Sequence, residues 1–144
     1  MPYLDYAASA PLRPDALAAM LPLLERPAAN PSSQHGLGRA ARAAVETARE
    51  QVAALVGAAP GEVVFTSGGT EADNLAVKGG YWSQADLGRT EIVTSAVEHH
   101  AVLDSVAWLA AAAGATAHQV PVDTTGHLAV AALDDCVTAR TAVV

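Results

Sequence analysis

Two short stretches hold most of the residues that could do chemistry. The first runs Val63-Val64-Phe65-Thr66-Ser67-Gly68-Gly69-Thr70-Glu71 and continues to Gly79. Three apolar residues in a row read as the end of a buried strand, two glycines follow, and a segment of helical character begins. A strand that runs through a Gly-rich loop into a helix start is a common anion site. The first turn of a helix has N–H groups without partners and carries partial positive charge. Gly68 and Gly69 permit positive φ and close backbone approach, and Thr70 adds a hydroxyl. Nucleotide motifs do not fit: neither G-x-G-x-x-G nor G-x-x-x-x-G-K-S/T occurs, and the one lysine, Lys78, lies eight residues past Thr70. On these residues alone an ordinary tight connection is equally open, with Thr70 and Asp73 as an S/T-x-x-D/E capping pair.

The second stretch is Ile92-Val93-Thr94-Ser95-Ala96-Val97-Glu98-His99-His100-Ala101. A strand again leads into a loop and a helix, with His99 and His100 at the junction. Ligands of open α/β sheets bind at the carboxyl ends of strands. If the two strands run parallel, both loops lie on one side of the sheet, and an anion cradle and an imidazole converge on one crevice. Imidazole suits acid–base work near neutral pH. Metal binding is the competing idea. Adjacent histidines diverge, no H-E-x-x-H is present, and His35, His118 and His127 are scattered, so no metal site is expected. A capping or merely exposed histidine pair is the plain alternative. A third piece, Asn30-Pro31-Ser32-Ser33-Gln34-His35-Gly36, is a polar loop of the kind that often lines a site.

Elements that would position these residues alternate along the chain. Tyr3 to Tyr6 could be extended. Helices are expected over 15–24, 39–56, 71–81, 101–113 and 128–137, and strands over 62–66, 91–95, 117–122 and 141–144. Pro27 lies beyond the first helix, and Ala28 to Gly38 form a loop. Val45, Ala48, Val52 and Leu55 share one face of the second helix, and Gly57 closes it. Asp123 to Gly126 form a turn. Strands alternating with helices imply α/β architecture: parallel β-α-β units in a mainly parallel sheet, with helices on both faces.

The chain has 144 residues, the usual size of one domain. Half is apolar but alanine-rich, and aromatics make up only 4%, so close helix packing must build the core. The net charge of −7 argues against a nucleic-acid partner. The single cysteine, Cys136, allows no internal disulfide and no cysteine-based zinc site. It reads as a small buried residue, since two adjacent aspartates disfavour a thiolate. The N-terminus has no readable signal peptide, and the most apolar window, residues 106–113, is too short to span a bilayer. A cytoplasmic protein is the default expectation, with no membrane partner. Thr141 to Val144 begin a strand at which the chain stops, which suggests truncation.

Taken together the pieces resemble one family. Tyr3-Leu4-Asp5-Tyr6-Ala7-Ala8 comes first, then Asn30-Pro31-Ser32-Ser33-x-His35-x-x-Gly38-Arg39. Phe65-Thr66-Ser67-Gly68-Gly69-Thr70-Glu71-x-Asp73-Asn74-Leu75-Ala76 follows, then Glu98-His99-His100-Ala101-Val102-Leu103. This order and spacing is similar to the cysteine desulfurases of the NifS/IscS type, in the class V aminotransferase group. The resemblance covers the chain from end to end.

That resemblance implies pyridoxal 5′-phosphate as cofactor and, as fold, part of the large cofactor-binding domain of a fold-type I enzyme of this kind. Residues 1–144 would be the N-terminal portion of that domain, with its remainder and the C-terminal domain absent. Gly69 and Thr70 would bind the cofactor phosphate, and His99 would stack on the pyridine ring and assist proton transfer. Glu71, beside the phosphate, is expected to turn its carboxylate away. The implied reaction takes sulfur from L-cysteine and leaves L-alanine and an enzyme persulfide, for iron–sulfur cluster assembly or other sulfur delivery. A homodimer and a sulfur-acceptor scaffold protein are implied partners.

The family's cofactor-holding lysine, ring-pairing aspartate, asparagine, substrate-binding arginine and persulfide cysteine all belong downstream of the matched motifs. Lys78 and Cys136 do not match the lysine and the cysteine. The chain by itself is therefore expected to be inactive, with an exposed apolar sheet edge. A selenocysteine lyase or another class V enzyme shares this front half. A non-enzymatic remnant, or a module completed by another chain, is the further alternative.

Overall fold

The computed structural model describes residues 2–26 and 29–144. The chain divides into two compact units, Met1–Val64 and Phe65–Val144. In the first unit, α1 is Pro14–Leu24, with Pro14 in its first turn, where a missing N–H is harmless. Pro27 and Ala28, where the expected loop begins, lie outside the described residues. Tyr3 to Tyr6 form no strand; the chain turns at Tyr6–Ala8, with Ala8 N–H donating to Asp5 O at 3.2 Å.

Helix α2 is Gly36–Val56, three residues longer at its start than expected. Gly57 ends it at φ +71°, and Ala58 N–H folds back on Ala53 O at 2.9 Å, so glycine's left-handed freedom is used here. The apolar face read from the sequence is only partly covered. Ala53 is buried, but Val52 is 38% and Leu55 85% exposed. A 3₁₀ turn at Pro60–Glu62 follows, packed on α2, and Glu62 accepts the N–H of Ala59 at 2.7 Å.

The strand expected over 62–66 does not form. Glu62 belongs to the 3₁₀ turn, and Val63 to Thr66 are extended without a ladder. Val64 and Phe65 are 64% and 48% exposed. Arg49 Nη1 donates to Val63 O, a carbonyl that a neighbouring strand would otherwise use. An extended apolar run becomes a strand only when another strand meets its backbone groups.

The second unit is built on a parallel sheet. α3 is Gly69–Ala85, β1 Glu91–Ser95, α4 His100–Ala112, β2 Thr116–Val120, α5 Val130–Cys136 and β3 Thr141–Val143. The order across the sheet is β2-β1-β3 and both pairings are parallel. Register runs from Glu91 opposite Thr116 to Ser95 opposite Val120. Parallel neighbours require crossover segments, and α4 supplies the one between β1 and β2. α3 packs on α4 and β3, and α4 and α5 on β2. Val77, Tyr81, Ile92, Val106, Leu109 and Ala115 form the core, and the Tyr81 hydroxyl donates to Ala113 O at 2.9 Å. α3 continues through Gly79 and Gly80 to Ala85, past the expected end at Tyr81, because Val77 and Tyr81 anchor its inner face.

At the start of the sheet Glu91 is buried. Its carboxylate accepts the Thr138 hydroxyl at 2.6 Å, pairs with Arg140, and lies 3.8 Å from His118 Nε2. The Thr138 bond leads in holding its carboxyl below the usual range, burial opposes it, and Arg140 and His118 add to the lowering. A depressed carboxyl adds stability above its unfolded value and loses it as pH falls through the folded one. Thermal unfolding across acid pH should therefore give a flatter acid limb in Glu91→Gln than in the parent chain. Leu109 is fully buried, so Leu109→Ala should cost about 2–5 kcal/mol in denaturant unfolding.

Candidate functional site

Four of the sequence-predicted residues sit at helix starts in the second unit. Gly68 precedes α3, Gly69 and Thr70 open it, and His99 precedes α4. The first hydrogen bond of α3 runs from Ala72 N–H to Gly68 O at 3.1 Å. The N–H groups of Gly69, Thr70 and Glu71 come before it and face out of the helix end. All three residues are exposed.

The glycines do not act as expected. Neither Gly68 nor Gly69 has a left-handed φ; Gly68 is extended at φ 164°. A Cβ on either would meet no heavy atom within 4 Å. This chain's own packing does not require glycine there, and the space beside both stays open for another group. Thr70 and Asp73 do not form a capping pair, because Gly68 is the N-cap and Thr70 already lies within the helix. The Thr70 carbonyl accepts from Asn74 Nδ2 at 2.9 Å.

The loop is braced by a pair the sequence reading missed. Glu71 turns back to accept the Ser67 N–H at 2.6 Å and the Ser67 hydroxyl at 2.7 Å, and the Thr66 hydroxyl donates to Gly68 O at 3.0 Å. The Ser67 hydroxyl and then its N–H hold the Glu71 carboxyl below its ordinary value. A serine four residues before a glutamate at a helix start was the available signal.

His99 is the N-cap of α4. It is extended at φ −61° and ψ 148°, and its Nδ1 accepts the Ala101 N–H at 3.1 Å. The His100 ring lies 6.4 Å away at 67°. Upstream, Ser95 Oγ donates to Glu98 at 2.9 Å and accepts the Val97 N–H at 3.3 Å. Ser95-x-x-Glu98 has the spacing of a capping box, and here it braces the turn instead. Of the two neighbouring strands on which the expected convergence depends, the first is missing. The hydrogen bonds of His99 and Thr70 stay within their own helix starts, and packing of α3 on α4 is what links the two.

A cavity of about 360 Å³ lies in this unit, lined by apolar side chains of α3, β1, α4, α5 and β3 together with Thr94, Ser95 and Glu98. The Thr94 hydroxyl is buried without a partner. In the first unit His35 is the N-cap of α2, its Nδ1 accepting the Gly38 N–H at 3.2 Å. Asn30 Oδ1 accepts the Ser32 N–H at 2.8 Å, and Arg39 and Arg42 hold the carbonyls of Gln34 and Pro31. A Cβ at buried Gly38 would collide with Ser33 O, Ser33 Cβ and Asn30 O, so glycine is required there by close approach. Lys78 lies 4.8 Å from the Trp108 ring centre, in cation–π contact. Cys136 is half-buried in α5. Among the described residues no helix is long and apolar enough to cross a membrane.

These loop geometries sit in a sequence that matches one family throughout. The profile of the aminotransferase class-V family matches residues 2–144, and the chain belongs to that family. It is 50% identical over 135 residues to an IscS-like cysteine desulfurase of Mycobacterium tuberculosis, covering 92% of this chain and 34% of that one. It is 48% identical over 143 residues to a cysteine desulfurase of Cereibacter sphaeroides, covering 99% and 36%. The chain thus spans about a third of the length of the curated relatives it matches. Among solved structures, a NifS-like protein superposes with a TM-score of 0.84 at 33% identity, over 95% of this chain and 37% of that one. A structure described as SspA in complex with cysteine gives 0.83 at 32% identity, over 98% and 40%. The chain is a cysteine desulfurase homologue, and its three-stranded parallel sheet with flanking helices matches part of that fold.

Ser67→Ala should raise the Glu71 carboxyl toward its ordinary value, so that the support it gives the loop is lost at a higher pH as acid is added. A carbon-13 NMR titration of the Glu71 carboxyl reads this shift directly.

Proposed function

We propose that this chain is the N-terminal portion of the cofactor-binding domain of a cysteine desulfurase. The full protein would take sulfur from L-cysteine, leaving L-alanine and an enzyme persulfide. The observation that carries the reading is the open start of α3. Gly69 and Thr70 offer unpaired N–H groups and a hydroxyl beside two glycines whose missing side chains nothing in the chain demands. Those donors fit the phosphate of pyridoxal 5′-phosphate. When bound, the cofactor ring supplies a sink for the electron pair released at the substrate α-carbon. Gly69 and Thr70 hold the phosphate. His99 presents its ring for stacking and is the titratable group placed for proton handling. Ser67 and Glu71 keep the loop in shape, with the carboxylate engaged by serine rather than facing an anion.

Two candidates inside the chain are unsuited to the family's remaining roles. Lys78 is engaged over Trp108, two helical turns past Thr70. Cys136 is half-buried on α5 next to two aspartates. The cofactor-holding lysine and the sulfur-accepting cysteine therefore come from further polypeptide, and the 144 residues alone are inactive. Exposed Leu17, Met20, Leu21, Leu23 and Leu24 on α1 support covering by further polypeptide. L-cysteine as substrate is supported by likeness to the structure described with cysteine bound. A homodimer, a scaffold protein as sulfur acceptor and a cytoplasmic location complete the proposal.

The test is binding of pyridoxal phosphate by the full-length protein, read by absorbance, with alanine release from L-cysteine as the activity. Thr70→Val should weaken cofactor binding about tenfold or more, since one hydrogen bond to a charged group contributes about 1.5–3 kcal/mol. Unchanged affinity in that variant would remove Thr70 from the site. A full-length protein that shows no absorbance change with the cofactor would sink the whole reading.

A further inference from the structure

His99 and His35 share an unusual arrangement. Each precedes a helix, and each accepts a backbone N–H through Nδ1: Ala101 at 3.1 Å for His99 and Gly38 at 3.2 Å for His35. A backbone N–H can only donate. Nδ1 must therefore carry its lone pair, and the proton of the neutral ring must sit on Nε2. Both amide-bearing residues are buried, Ala101 to 6% exposure, so water is a poor substitute for the imidazole.

The chemical consequence is sharp at His99. With the cap closed and the ring neutral, Nε2 already holds its proton and Nδ1 is engaged. Such a ring can donate a hydrogen bond through Nε2 but has no free lone pair to take a proton. A proton accepted by the ring goes to Nδ1 and breaks the Ala101 bond, and the cap reforms only when the positive ring gives up that Nδ1 proton and keeps the one on Nε2. Ser95 and Glu98 are bonded to each other in the turn just before this ring. Charged groups on the elements packed against α4 are engaged elsewhere. On α3, Glu71 is turned to Ser67 and Lys78 to Trp108; on β2, His118 faces Glu91. Asp73 is the other carboxylate of α3, and His100 is the ring beside His99.

We propose that His99 is locked by its own helix cap as the Nε2–H tautomer, a hydrogen-bond donor that becomes a base only when the cap opens. Its place in catalysis rests on the reading of the site given above; the tautomer and its coupling to the cap do not. The experiment uses the full-length protein, free of cofactor and labelled with nitrogen-15 histidine. Long-range proton–nitrogen NMR spectra should show a bare Nδ1 and a protonated Nε2 for His99 and for His35. A protonated Nδ1 at His99, or the averaged pattern of a freely exchanging ring, overturns the proposal. In a pH titration the Ala101 amide signal should move with the same midpoint as the His99 ring. His99→Asn keeps an N-cap acceptor that does not titrate, and should abolish that movement. An Ala101 amide indifferent to ring titration in the parent protein overturns the coupling. If the variant fails to fold, the parent spectra alone decide. Cofactor binding enters neither readout, so failure of the desulfurase reading and failure of this proposal are seen separately.

Discussion

The parallel pairing of β1 with strands on both sides is the constraint on which the second unit depends. Parallel neighbours cannot be joined by a hairpin, so each pairing brings a crossover segment, and α4 has to lie between β1 and β2. β1 is accordingly the most deeply buried element, with Glu91, Ile92 and Val93 all out of solvent. Its first residue is a carboxylate that reaches the loop before β3 through Thr138 and Arg140 and lies close to His118 of β2. The cross-strand link at one end and the apolar core above it fix the sheet. The other end of β1 is then free to deliver Ser95 and the turn to His99.

Helix starts carry the candidate chemistry, and they are stabilised in two ways. α3 begins with no side-chain cap, leaving Gly69 and Thr70 N–H groups available, while Ser67 and Glu71 secure the loop beside them. α2 and α4 begin with histidine caps, which satisfy one buried amide each. An open N-terminus favours an anion; a closed one favours order in the turn before it. The same chain uses both.

Exposure on α1 and α2 has a simple physical reading. Leu55 and Val56 of α2 and the leucines of α1 hold an apolar pattern without a matching cover among the described residues. Patterning sets which face is apolar, but burial needs a second surface. The same distinction explains the extended run at Val63 to Thr66, whose residue types suit a strand and whose carbonyl at Val63 is taken by Arg49 instead.

Local order was readable from residues alone. Periodicity and glycine placed α1, α2, β1 and α4 within a few residues, and Gly57 closed α2 with the left-handed turn expected of it. Glycines beside Thr70 and histidines after β1 marked two helix starts. What depended on partners distant in sequence was not readable. Glu91 and His118 look like surface residues until Thr138 and Arg140 meet the carboxylate. His99 does not reveal which nitrogen is free until the turn sets Nδ1 on Ala101. The sequence by itself determined, to within a few residues, where helices begin. Tertiary structure decided which polar groups are buried and paired, since that depends on what the fold brings to each side chain.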